Sequence, residues 1–355
     1  MSNAEKRLAT DQTLQRVAEG IENIPGVGGV LPILKGGTGI AVDPALLVNL
    51  ESDLPASPHA ETPRPGVGGV LPITHGGTGR NYARPKNHSY NGKNLKTYFG
   101  SANFLREAYS SGDFSHIDVG DYWPLAISGS FRDYAAAANK TINETFYMEV
   151  AGINHYWRYG DSGSGINQNH LAMISRDTIP MNLQYRSEAS TWYDESTQNP
   201  WTGSHLFQTL NNASNGLVVL VRASELGQFI YTGPNGAGMR TLGETKAKGA
   251  TAATGWAWRD RGILFLPTEK EYWGNETWAE HGYGGANALQ FELFAGSRKH
   301  LSKGLGNGGS RTNYWSESSS AGSATSACSV DGRGNPTYPS TAGTGISAPL
   351  CFLLA

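Results

Sequence analysis

The stretch Leu264-Phe265-Leu266-Pro267-Thr268-Glu269-Lys270-Glu271-Tyr272-Trp273-Gly274 decides how the second half of this chain is read. Four apolar or ring residues run into Pro267, which predicts a strand over 262–267. Thr268 then stands three residues before Glu271. That spacing is a capping box, with Thr268 as N-cap and Glu271 reaching back to the N-cap amide. A helix over Glu269–Trp273 follows, and Gly274 suits its end. Paired carboxylates such as Glu269 and Glu271 could serve a glycosidase. Their place in a helix start favours a structural role, fixing the first turn.

Working outward, residues 81–355 are dense in aromatics and short in segments. Strands are predicted over 122–127, 146–153, 171–174, 216–222 and 348–354, and helices over 94–110 and 205–212. In the last strand Leu350, Phe352 and Leu354 fall on one face and Cys351 and Leu353 on the other, so it must be buried or paired. Long Gly-, Ser- and Asn-rich loops join these elements, and loops of that length in a compact domain are usually functional. No linker interrupts 81–355, which reads as one domain.

The 355 residues include 46 Gly, 17 Pro, 2 Cys, 9 Trp, 16 Tyr and 11 Phe, with 16% charged and a net charge of −2. Gly is about twice its usual share and charge well below the usual quarter. Such a balance predicts a turn-rich fold rather than a helical bundle. It offers no strongly basic face, so nucleic-acid binding is not expected. No apolar run approaches a membrane span, and the first residues lack the apolar core of a secretory signal. Two cysteines make neither a disulfide scaffold nor a four-thiolate zinc site. Cys328 and Cys351 read as buried, inert thiols, with a cross-strand disulfide as the alternative.

The N-terminal region differs. Leu14, Val17, Ile21 and Ile24 follow 3-4-3 spacing, within a helix over 6–24. This seam fits either an amphipathic helix lying on another domain or a short oligomerising coil. Next, Pro25-Gly26-Val27-Gly28-Gly29-Val30-Leu31-Pro32-Ile33 recurs as Pro65-Gly66-Val67-Gly68-Gly69-Val70-Leu71-Pro72-Ile73, and Gly36-Gly37-Thr38-Gly39 as Gly76-Gly77-Thr78-Gly79. The offset is 40 residues, and thirteen of fifteen positions match. A unit with so few apolar residues and so many glycines cannot form its own core. It must find partners in other copies, as in an intertwined shaft. A flexible linker is the bland alternative, but a linker has no need to repeat Val-Leu-Pro-Ile.

This unit resembles the short repeat of bacteriophage tail-fibre and tail-collar proteins. The resemblance covers about 30 residues of this chain. It implies a shaft or attachment region over 25–80, a homotrimer, contacts with other tail proteins, and a place in the virion.

The C-terminal region resembles a second family on four stretches. These are Asn199-Pro200-Trp201-Thr202-Gly203-Ser204-His205-Leu206-Phe207-Gln208-Thr209-Leu210-Asn211, the Leu264–Gly274 element above, Asn313-Tyr314-Trp315-Ser316-Glu317-Ser318, and Gly345-Ile346-Ser347-Ala348-Pro349-Leu350-Cys351-Phe352-Leu353-Leu354. Together they resemble the domain of unknown function numbered 6273, found in gut bacteria and their phages. Glu317 and Ala348 stand where that family carries Arg. The resemblance implies an α+β, C-type-lectin-like fold over 81–355. Its chain ends would meet on a small antiparallel sheet and its long loops would form a ligand surface. Relatives serve as variable proteins of diversity-generating retroelements.

The chemistry of the loops fits binding better than catalysis. No metalloprotease, Walker or nucleophile-elbow motif is present. Gly304-x-Gly306-x-x-Gly309 matches a dinucleotide fingerprint by letters but lacks the flanking strand and helix. No cofactor is expected, and lectin-type calcium signatures are absent. Residues 304–334 combine Asn, Ser, Thr and Tyr, the adaptable set that antibody loops use, and the expected contacts are Asn307, Ser310, Arg311, Thr312, Asn313, Tyr314 and Ser318. Trp315 reads as core. A second candidate surface is Tyr156, Trp157 and Arg158 with the loop 160–167, where aromatics beside Arg suit sugar or protein recognition.

The expected function is a non-enzymatic receptor-binding protein of a phage tail fibre. Its partner would be a bacterial surface receptor, protein or glycan. The alternatives are a tail-associated polysaccharide-degrading enzyme and a structural fibre or collar component.

Overall fold

A computed structural model describes residues 92–159, 165–188, 201–233, 240–244, 257–279, 289–321, 323 and 325–355. The helix over 6–24, both copies of the repeat, the domain boundaries at 24 and 80, and most of the loop 160–167 lie outside these residues.

The described chain is a mixed α+β fold, mostly sheet with short helices. It opens with α1 (Leu95–Phe99) and α2 (Ala102–Ser111). The sequence predicts one helix here. Gly100, at φ +74°, ends the first helix, and the Ser101 hydroxyl accepts from the Phe104 N–H to start the second.

Next come β1 (Tyr122–Asp133), β2 (Ala138–Ile153) and β3 (Leu171–Thr178). The last strand, β10 (Pro349–Leu354), returns to pair with β3, giving the antiparallel order β1-β2-β3-β10. The first and last strands therefore hold opposite edges.

The alternation predicted for the last strand holds. Leu350, Phe352 and Leu354 enter one apolar core with α1, α2 and the inner residues of β1. Cys351 and Leu353 enter a second core on the other face, with Phe265, Tyr272 and Phe291. A strand buried on both faces reads as a continuous apolar run, which is what Pro349–Leu354 shows.

Two further corrections concern the middle of the chain. The predicted strand over 216–222 is a helix, α4 (Leu217–Arg222), which follows α3 (His205–Asn211). Its apolar run is short enough to fit either element. The spacing of buried Leu217, Val218 and Val221 suits one helical face, with Leu220 lying over Gly129 of β1. The predicted strand over 262–267 joins no ladder. It threads between layers, and its backbone groups are taken by the Asn211 side chain, by Cys351 and by Ser316 and Glu317.

A small hairpin of β4 (Arg240–Glu244) and β5 (Ala257–Asp260) precedes α5 (Glu269–Trp273) and α6 (Glu292–Gly296). In α5 the predicted capping box is present in full: Thr268 Oγ1 accepts from Glu271 N at 3.2 Å, and Glu271 Oε2 accepts from Thr268 N at 2.7 Å. A second sheet has the order β8-β7-β6-β9, with β6 (Asn313–Ser319), β7 (Ala327–Val330), β8 (Pro336–Thr337) and β9 (Ile346–Ser347). Among the described residues no helix is long and apolar enough to cross a membrane.

Candidate functional site

The predicted contact loop is a tight hairpin docked on the end of β3. Leu305 N–H donates to Ser310 O at 2.9 Å, Thr312 N–H to Lys303 O at 3.0 Å, and Gly304 and Arg311 form a bridge. Gly306 and Gly308, at φ +69° and +73°, turn the tip and lift Asn307 into solvent. No side chain fits at Gly309, where a Cβ would stand 1.9 Å from Leu305 O.

The hairpin is anchored from below. Gly304 N–H donates to Asp177 Oδ1 at 2.8 Å, and Gly304 O accepts from Thr178 N at 2.9 Å and from its hydroxyl at 3.0 Å. The Lys303 side chain is fully buried and its ammonium caps the carbonyls of Ser175 at 2.5 Å and Arg176 at 3.1 Å. Burial pulls the Lys303 amine down to about 8, against the pull of nearby Glu149 and Asp177. Glu149 itself is held by Arg176 at 2.9 Å and His300 at 3.2 Å.

A neighbouring turn extends this surface. Gly332 N–H donates to Asn313 Oδ1 at 2.9 Å, and Asp331 organises residues 331–335 by accepting from the Arg333 and Asn335 amides, both at 2.8 Å. Burial works to raise the Asp331 carboxyl, but these donors outweigh it and hold it below its ordinary range. Arg333 and Asn335 are exposed beside Arg311 and Asn313.

The predicted contacts divide. Asn307, Ser310, Arg311 and Asn313 are exposed and Thr312 is half-buried, all on this hairpin or just past it. Tyr314 and Ser318 are not on the surface. Both are fully buried on β6, which is covered on both faces. The Tyr314 hydroxyl donates to Leu301 O at 2.6 Å, and the Ser318 hydroxyl accepts from Glu269 N at 3.0 Å. Trp315, read as core, is buried and donates to Leu183 O at 2.6 Å.

The second candidate surface divides as well. Trp157 is 45% exposed and Arg158 is exposed, but Tyr156 is buried, with its hydroxyl donating to Glu271 at 2.6 Å. The two surfaces are also apart. Trp157 follows the Ile153–Leu171 end of the β2/β3 pair, whereas the hairpin docks at Thr178. Seven residues of strand separate those points, about 23 Å at roughly 3.3 Å per residue.

Sequence reasoning missed a buried charge network centred on Arg261. Its Nη1 and Nη2 donate to the two oxygens of Glu271, both at 2.9 Å, and its Nε donates to Glu317 Oε2 at 2.6 Å. Nη2 also reaches Leu266 O at 2.6 Å. All three charged side chains are fully buried. Burial works to raise the Glu271 carboxyl, but the guanidinium outweighs it and holds the carboxyl below its usual range. Glu317, which departs from the Arg of the resembled family, is thus a counter-ion. No local pattern in the sequence signalled this network: Glu271 is flanked by Lys270 and Tyr272, and Glu317 by Ser316 and Ser318.

The carboxylate pair is committed to structure. Glu271 holds Arg261 and Thr268. Glu269 is equally buried and accepts the backbone N–H of Thr277, Trp278 and Ala279, each at 2.8 Å. His170 is buried too. Its Nε2 accepts from Tyr156 N at 2.9 Å while its Nδ1 faces Gln168 O at 2.9 Å, and burial lowers its pKa to about 4. His155 packs on Phe291 and Tyr156 and is lowered to about 4 for the same reason.

Cys328 and Cys351 are both buried and unpaired with one another, and burial pushes the Cys351 thiol well up. Gly304, Gly306 and Gly309 build the hairpin, without the strand and helix a dinucleotide site requires. Among the described residues no cluster of three or more His, Cys, Asp or Glu could hold a metal ion. Comparison with protein-family models, with curated proteins and with solved structures found no match to this chain.

Proposed function

We propose that this protein is the receptor-binding component of a phage tail fibre, recognising a bacterial surface ligand through the hairpin at 303–313. The observation that carries the reading is the build of that hairpin. Asn307, Ser310, Arg311 and Asn313 are exposed together, while Lys303, Asp177 and Thr178 fix its base. A short loop held this way presents polar groups at little entropic cost on binding.

The repeat at 25–39 and 65–79 supplies the setting, a shaft that assembles a homotrimer and joins other tail proteins. Three heads on one shaft raise avidity without tight single-site affinity. The domain is C-type-lectin-like on this reading, and its hairpin is a target for retroelement diversification.

The test is binding of the labelled full chain to a panel of gut-bacterial isolates, with sedimentation velocity alongside. A trimer that binds some isolates and loses them on Asn307→Ala/Arg311→Ala is expected. A monomer that binds none refutes the reading. A near-copy of the DNA encoding 302–355, lying downstream and differing at adenines, would identify the diversified codons.

A further inference from the structure

Trp278 and Tyr338 are large side chains left 39% and 41% exposed, and their rings meet with centroids 4.4 Å apart at 44°. We propose that this ring pair is a stacking platform for a neutral pyranose of a surface glycan. The inference deepens the receptor-binding reading by naming a ligand class, and it places that ligand on residues other than the predicted contacts.

The platform is held rigidly from beneath. A buried carboxylate is costly unless its oxygens are bonded. Glu269 offsets that cost with three backbone N–H groups, and those groups belong to Thr277, Trp278 and Ala279. The buried Glu269 carboxyl thus fixes the short segment whose largest side chain is partly exposed. The indole edge is fixed as well: Trp278 Nε1 donates to Pro336 O at 3.2 Å. Two residues earlier on the same segment, Gly334 O accepts from Trp273 Nε1 at 3.3 Å. With its N–H used internally and one face against Tyr338, Trp278 offers its outer ring face and not its edge.

Size and charge select the occupant. About 40% of two aromatic side chains is roughly 120 to 200 Å². That is far below the ~800 Å² per partner of a stable protein interface, and suits a small ring rather than a protein. The fringe is made of amides and hydroxyls, with Asn275, Thr277 and Asn335 exposed. Nearby charges are of both signs, Glu276 and Asp331 against Arg333, so no single-sign field favours an ionic ligand. A β-linked gluco-configured pyranose carries its ring C–H bonds axially. It therefore has flat apolar faces for the rings and equatorial hydroxyls for the fringe.

The test titrates the full chain with cellotetraose and with chitotetraose, followed by tryptophan fluorescence and calorimetry. Saturable binding of at least one is expected, weakened about tenfold or more by Trp278→Ala and by Tyr338→Ala. Tyr338→Phe should bind as the parent does. Both alanine variants should still unfold cooperatively above the titration temperature; Trp278→Ala, which gives up its bond to Pro336 O, should do so at a lower midpoint than the parent. The inference is overturned if neither sugar saturates by about 10 mM, or if both alanine variants bind like the parent. Cell binding without tetrasaccharide binding sinks the platform and leaves the receptor-binding reading standing. Tetrasaccharide binding by a chain that binds no cells does the reverse.

Discussion

Replacing Arg261 by Met should cost most of this domain's stability, and the cost should depend on pH in a direction opposite to the parent's. The guanidinium makes three bonds to two carboxylates at 2.6 to 2.9 Å, in a site with no solvent exposure. Breaking one buried pair by removing a partner costs about 3–5 kcal/mol, and here a single change strands both Glu271 and Glu317. Against a typical stability of about 5–15 kcal/mol, a loss at the top of that range is expected near neutral pH. In the parent the folded-state pKa of Glu271 is lowered. Its contribution is present above the unfolded carboxylate value and lost as pH falls below it. In Arg261→Met a stranded carboxyl is raised instead, so the folded state binds an extra proton. Stability of the variant should therefore fall as pH rises from about 4.5 toward neutral. Urea melts of the full chain at pH 5.5 and 7.5, read from buried Trp123, Trp201 and Trp315, measure both effects. Adding Glu317→Gln should recover part of the loss at pH 7.5. A loss under about 1 kcal/mol at both pH values would be too small for a broken buried pair and would refute the reasoning. So would an equal loss at the two.

Three further outcomes follow from the same geometry. His170 is fully buried with Nε2 accepting from Tyr156, and its folded pKa is about 4 against 6.5. The unfolded chain therefore binds its proton first, and about 3 kcal/mol should be lost as pH falls from about 6.5 to 4; His170→Gln should flatten that part of the stability profile. Gly309→Ala places a Cβ against Leu305 O. Hydrogen exchange at the Leu305 and Gly309 amides should rise sharply while exchange in β2 and β3 stays as in the parent. Tyr314→Phe removes a buried bond to Leu301 O; urea melts should show a loss of about 1–2 kcal/mol, with cell binding unchanged because this ring faces the core.

Where neighbouring residues decide the structure, the chain is legible. The capping box at Thr268 and Glu271 gives α5 to the residue, and the alternation in Pro349–Leu354 gives a strand buried on two faces. Distant partners are not legible in this way. The 216–222 run suits a strand by composition, yet it is a helix that packs Leu220 over Gly129 of β1. Arg261 stands 10 residues from Glu271 and 56 from Glu317, separations that no local pattern connects.

The same division explains which predicted contacts face solvent. Between Gly304 and Gly309 the glycines themselves force a turn, so a residue such as Asn307 at its tip cannot be buried by its own segment. Past Asn313 the polar letters continue, but the backbone has entered β6. There Ser316 donates to Pro267 O at 2.8 Å and Ser318 accepts from Glu269 N. A serine run meets its hydrogen-bonding needs inside the protein as readily as in water when backbone groups lie opposite, so composition alone does not separate a surface loop from a buried polar strand. Trp278 inverts the lesson. A tryptophan in an aromatic-rich domain reads as core, yet the buried carboxylate of Glu269 holds its backbone where the ring stays in solvent. The side chain that looks most like packing is thus the one placed for recognition, and its environment, rather than its type, carries that information.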